Sequence, residues 1–163
     1  VGTPSGSART LLMLGLLVSL LVTYTRLDIG KTALKPAERL FTEFPFSLYL
    51  GWISVATIAN TSVLLYNAGW NGFGLSPEFW TILVLAVGAL LGILMIRLRN
   101  AITYPLVIIW SFIGISLKPA TPELIGTVAG AAALVVLLYL IYSLLRARQL
   151  AMLAARKDRA KLK

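Results

Sequence analysis

The residue types on which most enzyme active sites depend are scarce in this chain of 163 residues, which contains no histidine and no cysteine. A histidine general base, a thiol nucleophile, a zinc site and a histidine-ligated haem therefore cannot be built from it. The six acidic residues lie between or at the ends of apolar segments, or in the tail: Asp28, Glu38, Glu43, Glu78, Glu123 and Asp158. We expect no catalytic residues and no metal site, and we interpret the chain as non-enzymatic.

One group of side chains has the chemistry of a binding site. Tyr49, Trp52 and Ala56 follow at i, i+3 and i+7, and Asn60 at i+11, which places all four on one helical face. An asparagine cannot satisfy its amide fully on its own helix, so we expect Asn60 to face a bundle interior or a polar ligand. Such a face suits a hydrophobic ligand with one polar group. It is also typical of a helix–helix contact with one interhelical hydrogen bond, which the residues alone favour.

The composition identifies the element type that must position this face. Hydrophobic residues make up 58% of the chain and charged residues 13%, with a mean hydropathy of +0.86. Soluble domains average about 45–50% apolar and about 25% charged residues, so an ordinary globular enzyme, a disordered tail and a disulfide scaffold are excluded. We predict an all-α, multi-pass membrane protein of a bacterial inner, thylakoid or other organellar membrane.

Charged residues divide the sequence into segments of membrane-spanning length. We predict a polytopic bundle of five transmembrane helices within residues 1–145, followed by a basic tail at 146–163. The predicted spans are about 10–26, 44–66, 79–96, 101–117 and 124–145.

The basic residues predict the orientation of these spans. With five crossings, thirteen of the fifteen Lys and Arg residues fall on one side, and only Arg9 and Lys118 on the other. The positive-inside rule then places the start of the chain outside and the C-terminus in the cytoplasm or stroma. The net charge of +9 is thus explained by topology, and we expect no nucleic-acid partner. The tail could lie on anionic headgroups or continue the last helix into solvent, and the sequence leaves both open.

Two glycine pairs predict close helix packing. Gly88 and Gly92 form one G-x-x-x-G motif, and Gly126 and Gly130 form another. Small residues let membrane helices approach closely, so we interpret both pairs as packing within the bundle. A docking face for another membrane subunit is the alternative.

The loop before the third span predicts a sharp helix start. Ser76 is a good N-cap, Pro77 suits the first turn and Glu78 complements the helix dipole. Aromatic residues around this start predict an aromatic belt at the membrane interface: Trp70, Phe73, Phe79 and Trp80.

The second span resembles a known family. Its residues Tyr49, Leu50, Trp52, Ala56 and Asn60 keep the register of the last core helix of the tryptophan-rich sensory proteins, the TspO or translocator proteins. The runs FPFSLYLGW at 44–52 and NGFGLSPE at 71–78 are similar to extended bacterial and cyanobacterial members.

On this resemblance the first two spans correspond to the last two of the family core, and the last three spans correspond to an extension. The chain would then represent the C-terminal portion of an extended member. Leu48 replaces the family's proline, and the family's first three helices have no counterpart here.

The resemblance implies a non-enzymatic protein that binds a hydrophobic small molecule within the bilayer. Family members bind tetrapyrroles and sterol-like ligands, so Tyr49, Trp52, Ala56 and Asn60 would line one wall of a site for a porphyrin or chlorophyll-type pigment. The alternative is a structural or accessory subunit that contacts other membrane subunits of a photosynthetic or respiratory complex. A small transporter ranks third, because no predicted span carries a charge at its centre.

Overall fold

A computed structural model describes residues 6–26, 41 and 43–161, which form five α-helices and one turn of 3-10 helix. The α-helices are α1 (Gly6–Arg26), α2 (Phe44–Asn67), α3 (Pro77–Arg99), α4 (Thr103–Leu117) and α5 (Glu123–Lys161), and the 3-10 turn is Gly72–Gly74. These residues include no β-strand, so the predicted all-α architecture is confirmed for them.

Several residues used in the orientation argument lie outside this description. They are the charged residues of the 27–40 loop, the side chain of Arg9 and several tail side chains, including Arg156, Arg159 and Lys163.

Three helices are long and apolar enough to cross a membrane: α2, α3 and the Glu123–Ala155 part of α5. The apolar stretch Thr10–Arg26 of α1 and the whole of α4 are shorter. The 15 residues of α4 span only about 22 Å at 1.5 Å per residue, less than a hydrocarbon core of about 30 Å. Length and composition thus support three of the five predicted spans, those formed by α2, α3 and α5.

Capping residues set both ends of α3. The Ser76 hydroxyl accepts a hydrogen bond from the Phe79 N–H at 3.2 Å, with Pro77 and Glu78 in the first turn, which confirms the predicted helix start. At the other end Asn100 adopts a left-handed conformation with φ of 50°, which Asn tolerates better than most residues. This residue ends α3 and turns the chain towards α4.

The central helix of the bundle is α4, which packs against α2, α3 and α5. α3 also packs against α5, and α1 packs along α2. Ile108 and Phe112 of α4 are buried together with Val136 of α5. The buried face of α5 repeats at i, i+4, i+7 and i+11 and is built mainly from small side chains: Ala129, Ala133, Val136 and Leu140. These small residues allow α4 to approach α5 closely.

Candidate functional site

The face that carries Tyr49 and Trp52 lies on the outside of the bundle. Tyr49 is 49% exposed and Trp52 is 47% exposed. The residues of α2 that are buried interleave with this face: Ser47, Leu50, Gly51, Ile53, Ser54 and Thr57. The two aromatic rings therefore point away from the neighbouring helices α1 and α4, on a surface that the described helices leave exposed.

Ala56 and Asn60 continue the same face and are half-buried. The Asn60 Nδ2 donates a hydrogen bond to the Ala56 carbonyl at 2.9 Å. An asparagine amide has a second N–H and a carbonyl oxygen, so this contact uses only part of the side chain's hydrogen-bonding capacity. The four residues Tyr49, Trp52, Ala56 and Asn60 are called the α2 face below.

Most hydroxyl groups of α2 are satisfied within the helix. Ser54 donates to the Leu50 carbonyl, Thr57 to Ile53 and Thr61 to Thr57, at 2.7 to 2.8 Å. A bond to a carbonyl of the preceding turn satisfies the hydroxyl within its own helix, so the hydroxyl needs no partner from another helix or a ligand. The polarity of α2 is therefore only weak evidence for a binding site, and Asn60 remains its most informative polar residue.

Both glycine pairs lie against other helices of the same chain. A Cβ on Gly88 would lie 3.1 Å from the Phe112 ring of α4, and a Cβ on Gly92 would lie 3.3 Å from Val136 of α5. Gly126 and Gly130 lie against Ser116 of α4. A Cβ on Gly126 would lie 3.5 Å from the Ser116 backbone oxygen, and a Cβ on Gly130 would lie 3.1 Å from the Ser116 hydroxyl.

The tightest contact involves Gly51, which sequence reasoning did not single out. A Cβ at this position would lie 2.8 Å from the Cβ of Val107. α2 and α4 therefore approach each other at a point where only glycine fits. The sequence signal for this contact was the glycine itself, between Tyr49 and Trp52, since glycine in a membrane helix often marks a close approach of another helix.

A buried polar cluster at the opposite face of α2 was also missed. The Tyr24 and Ser47 hydroxyls are 3.2 Å apart, and the Arg99 guanidinium carbon lies 5.8 Å from the centroid of the Tyr24 ring. Tyr104, near the start of α4, is also buried and lies close to Ser54. This tyrosine–serine–arginine cluster joins the C-terminal ends of α1 and α3 to the N-terminal halves of α2 and α4.

The cluster fixes the relative positions of four helix ends. Tyr24 and Tyr104 are almost fully buried, and a buried hydroxyl in an apolar surrounding needs a partner. Tyr24 meets the Ser47 hydroxyl, and Tyr104 lies close to Ser54, whose own hydroxyl donates to the Leu50 carbonyl. α2 thus presents Ser47 and Ser54 to the bundle and the rings of Tyr49 and Trp52 to the outside.

No metal-binding group is evident within the described part of the chain, where no three acidic side chains gather at one place. The buried groups that the structure does bring together are hydroxyls, aromatic rings and one guanidinium. These groups can bind and orient, and they provide hydrogen bonds and cation–π contacts.

The sequence model of the TSPO-like protein family matches residues 7–142, which extend from the start of α1 into α5. The chain belongs to the TSPO-like protein family. This confirms the resemblance drawn from the second span and identifies a membrane protein of the TspO type. No curated protein and no solved structure matches the chain.

For this TSPO-like protein the family match includes the first four helices almost completely and α5 as far as residue 142. The more detailed correspondence, in which α1 and α2 are the last two helices of a TspO core, stays a prediction. The α2 face and the tyrosine–serine–arginine cluster both lie inside the matched region.

Proposed function

We propose that this TSPO-like protein is a non-enzymatic membrane protein that binds a hydrophobic ligand, such as a tetrapyrrole, along its α2 face. The observation that carries the proposal is the outward position of Tyr49 and Trp52, about half exposed and in line with Asn60. Family membership supports a ligand of this class. The proposed site lies at the surface of the five-helix unit rather than in its buried core.

The dimensions of the α2 face suit a large flat or elongated ligand. Tyr49 and Asn60 are eleven residues apart, which corresponds to about 16 Å along a helix axis. The rings of Tyr49 and Trp52 offer stacking surface at one end, and Asn60 offers a hydrogen bond at the other. Ala56 lies between them, and its small side chain leaves room for a ring system to lie against the helix.

The ligand would enter from the lipid, since the described helices leave Tyr49 and Trp52 exposed and Ala56 and Asn60 partly exposed. We propose five membrane crossings, with the Arg26, Arg97 and Arg146 ends in the cytoplasm or stroma. The structure supports this by placing the C-terminal ends of α1 and α3 together in the tyrosine–serine–arginine cluster. The excess of basic residues at that end then follows the positive-inside rule.

The test is porphyrin binding to the full chain in lipid nanodiscs. Trp52→Leu and Asn60→Leu should each weaken binding about tenfold, because tenfold corresponds to about 1.4 kcal/mol and an aromatic contact contributes about 0.5–1.5 kcal/mol. The shift of the porphyrin absorption band gives the affinity, and co-elution of porphyrin with the nanodisc gives the stoichiometry.

Trp110→Leu is the matched control for this experiment. Trp110 is also an exposed tryptophan, 68% exposed on α4, but it lies outside the α2 face. The Trp110→Leu variant should therefore bind porphyrin with unchanged affinity. Equal losses for Trp52→Leu and Trp110→Leu would indicate general partitioning into lipid, and no loss for Trp52→Leu would contradict the proposed site.

A second candidate function, an accessory subunit of a larger membrane complex, is favoured by the end of α5. This helix continues without interruption to Lys161. It therefore includes 16 residues of the predicted tail, 146–161, which add about 24 Å of helix beyond the predicted span. A protruding basic helix is a suitable contact for another subunit. Extraction from the native membrane in mild detergent separates the two functions, because an accessory subunit should elute at a mass far above 17.7 kDa.

A further inference from the structure

The loop between α2 and α3 holds a phenylalanine in an unusual conformation. Phe73 has φ of 56° and ψ of 30°, and its side chain is 78% exposed. A residue with a Cβ rarely adopts this left-handed conformation. Backbone strain of this kind persists only where the surrounding structure enforces it, and it often accompanies function.

Hydrogen bonds to the backbone of the loop enforce this conformation. The Asn71 side-chain oxygen accepts a hydrogen bond from the Phe73 N–H at 3.1 Å, and the Trp80 indole N–H donates to the Gly72 carbonyl at 2.9 Å. The Gly74 and Leu75 N–H groups donate to the carbonyls of Asn71 and Gly72. The first turn of α3, through Trp80, therefore fixes the direction in which Phe73 points.

The exposed phenylalanine is part of a continuous aromatic surface. Trp70 contacts Phe73 and Trp80 with ring centroids 5.4 and 5.0 Å apart, and Phe79 contacts Trp80 at 6.1 Å. Leu75 beside them is also exposed. These residues, Trp70, Phe73, Leu75, Phe79 and Trp80, are called the aromatic wedge below.

The position and charge of the aromatic wedge identify lipid as its partner. The wedge joins α2 to α3, two helices that are each long and apolar enough to span a membrane, so it lies at the membrane edge. Glu78 is the one ionisable residue between Trp70 and Trp80, and the wedge itself contains none. An uncharged surface rich in Trp and Phe prefers the headgroup region of a bilayer, and it continues the lipid-facing side chains of α3, such as Leu83 and Val87.

We propose that the aromatic wedge, with the exposed Phe73 ring at its loop end, inserts into the lipid leaflet at the α2–α3 end of the bundle. Insertion would set the depth of α3 in the bilayer. It would also explain why a strained backbone is maintained at an exposed side chain that contacts the rings of Trp70 and Trp80.

The experiment measures quenching of Trp70 and Trp80 in a full-length Trp52→Phe, Trp110→Phe background, reconstituted in phosphatidylcholine vesicles. Lipids brominated near the glycerol end of their acyl chains should quench this fluorescence strongly, and aqueous iodide should quench it weakly. Phe73→Asn should raise the iodide quenching constant about twofold and lower lipid quenching, because Asn accepts the left-handed backbone but prefers water.

Phe73→Leu is the matched control, because it keeps an apolar side chain and should keep strong lipid quenching. Unchanged helical circular dichroism shows that each variant is folded. Strong iodide quenching without lipid quenching in the parent protein would place the loop in water and overturn the proposal. Protection from both quenchers would show that protein covers the loop, which would also overturn it.

Discussion

At the scale of single residues, the two faces of α2 have different chemistry. Its outward side carries half-exposed aromatic rings at Tyr49 and Trp52, whereas its inward side carries Ser47, which pairs with Tyr24 of α1. A hydroxyl that meets another helix can contribute to stability, while one that bonds its own helix adds little specificity. The Tyr24–Ser47 pair is therefore expected to contribute more to stability than the Thr23 and Thr25 hydroxyls, which bond carbonyls of α1 itself.

The Tyr24–Ser47 pair should show measurable coupling. A double-mutant cycle with Tyr24→Phe and Ser47→Ala should give about 0.6 kcal/mol of interaction energy, the average for hydrogen bonds between membrane helices. The measurement is the free energy of unfolding in mixed detergent micelles with increasing sodium dodecyl sulfate.

Thr25→Val provides the matched control for the Tyr24–Ser47 cycle. Among the described residues, the Thr25 hydroxyl donates to the Leu21 and Val22 carbonyls of its own helix, at 2.8 and 2.9 Å. Its removal should leave the free energy of unfolding nearly unchanged. Zero coupling between Tyr24 and Ser47 would show that the buried pair contributes packing alone.

At the scale of helices, close packing depends on glycines that face neighbouring elements. Gly51 differs from Gly88 and Gly92 in the nature of its contact, because it meets the Cβ of Val107 rather than the end of a side chain. A Cβ is attached directly to the backbone and cannot rotate away. Any side chain at Gly51 must therefore push α2 and α4 apart.

Gly51→Ala should destabilise the bundle by about 1–3 kcal/mol, the usual range for overpacking a well-packed core. The expected result is a lower melting temperature in detergent. The melting temperature is measured from the fraction of protein that stays monodisperse after heating to each temperature. The α2 face should be displaced as well, so porphyrin affinity should fall in parallel.

Gly114→Ala controls for the general effect of replacing a helical glycine. A Cβ at Gly114 in α4 meets no atom within 4 Å, and alanine favours the helix over glycine by up to about 1 kcal/mol. This variant should be neutral or stabilised. If Gly51→Ala behaves in the same way, the close approach of α2 and α4 does not limit stability.

At the scale of the whole molecule, the arrangement of helix ends organises charge. The C-terminal ends of α1 and α3 and the N-terminal halves of α2 and α4 meet in the tyrosine–serine–arginine cluster. The C-terminal part of α4 contacts the start of α5 through Ser116 and Gly126, so α5 returns towards the cluster end and continues beyond it. The basic ends of three helices are therefore on one side of the bundle.

The absence of cysteine from the chain allows the proposed orientation to be tested with single-cysteine variants in intact cells that carry the protein in their plasma membrane. Ala120→Cys lies in the exposed turn before α5, and Gln149→Cys lies on the exposed end of α5. A membrane-impermeant maleimide should label Ala120→Cys directly and Gln149→Cys only after permeabilisation. The reverse pattern would contradict the proposed orientation.

The sequence by itself determined the helical membrane character of this protein, the start of α3 and, through residues 44–60, the family. These features depend on local properties such as hydropathy, capping residues and a short motif. Only the tertiary structure decided that Tyr49 and Trp52 face outward, that Gly51 touches Val107 and that Tyr24 meets Ser47. In a bilayer the lipid-facing and helix-facing sides of a helix are both apolar, so periodicity cannot tell which side packs.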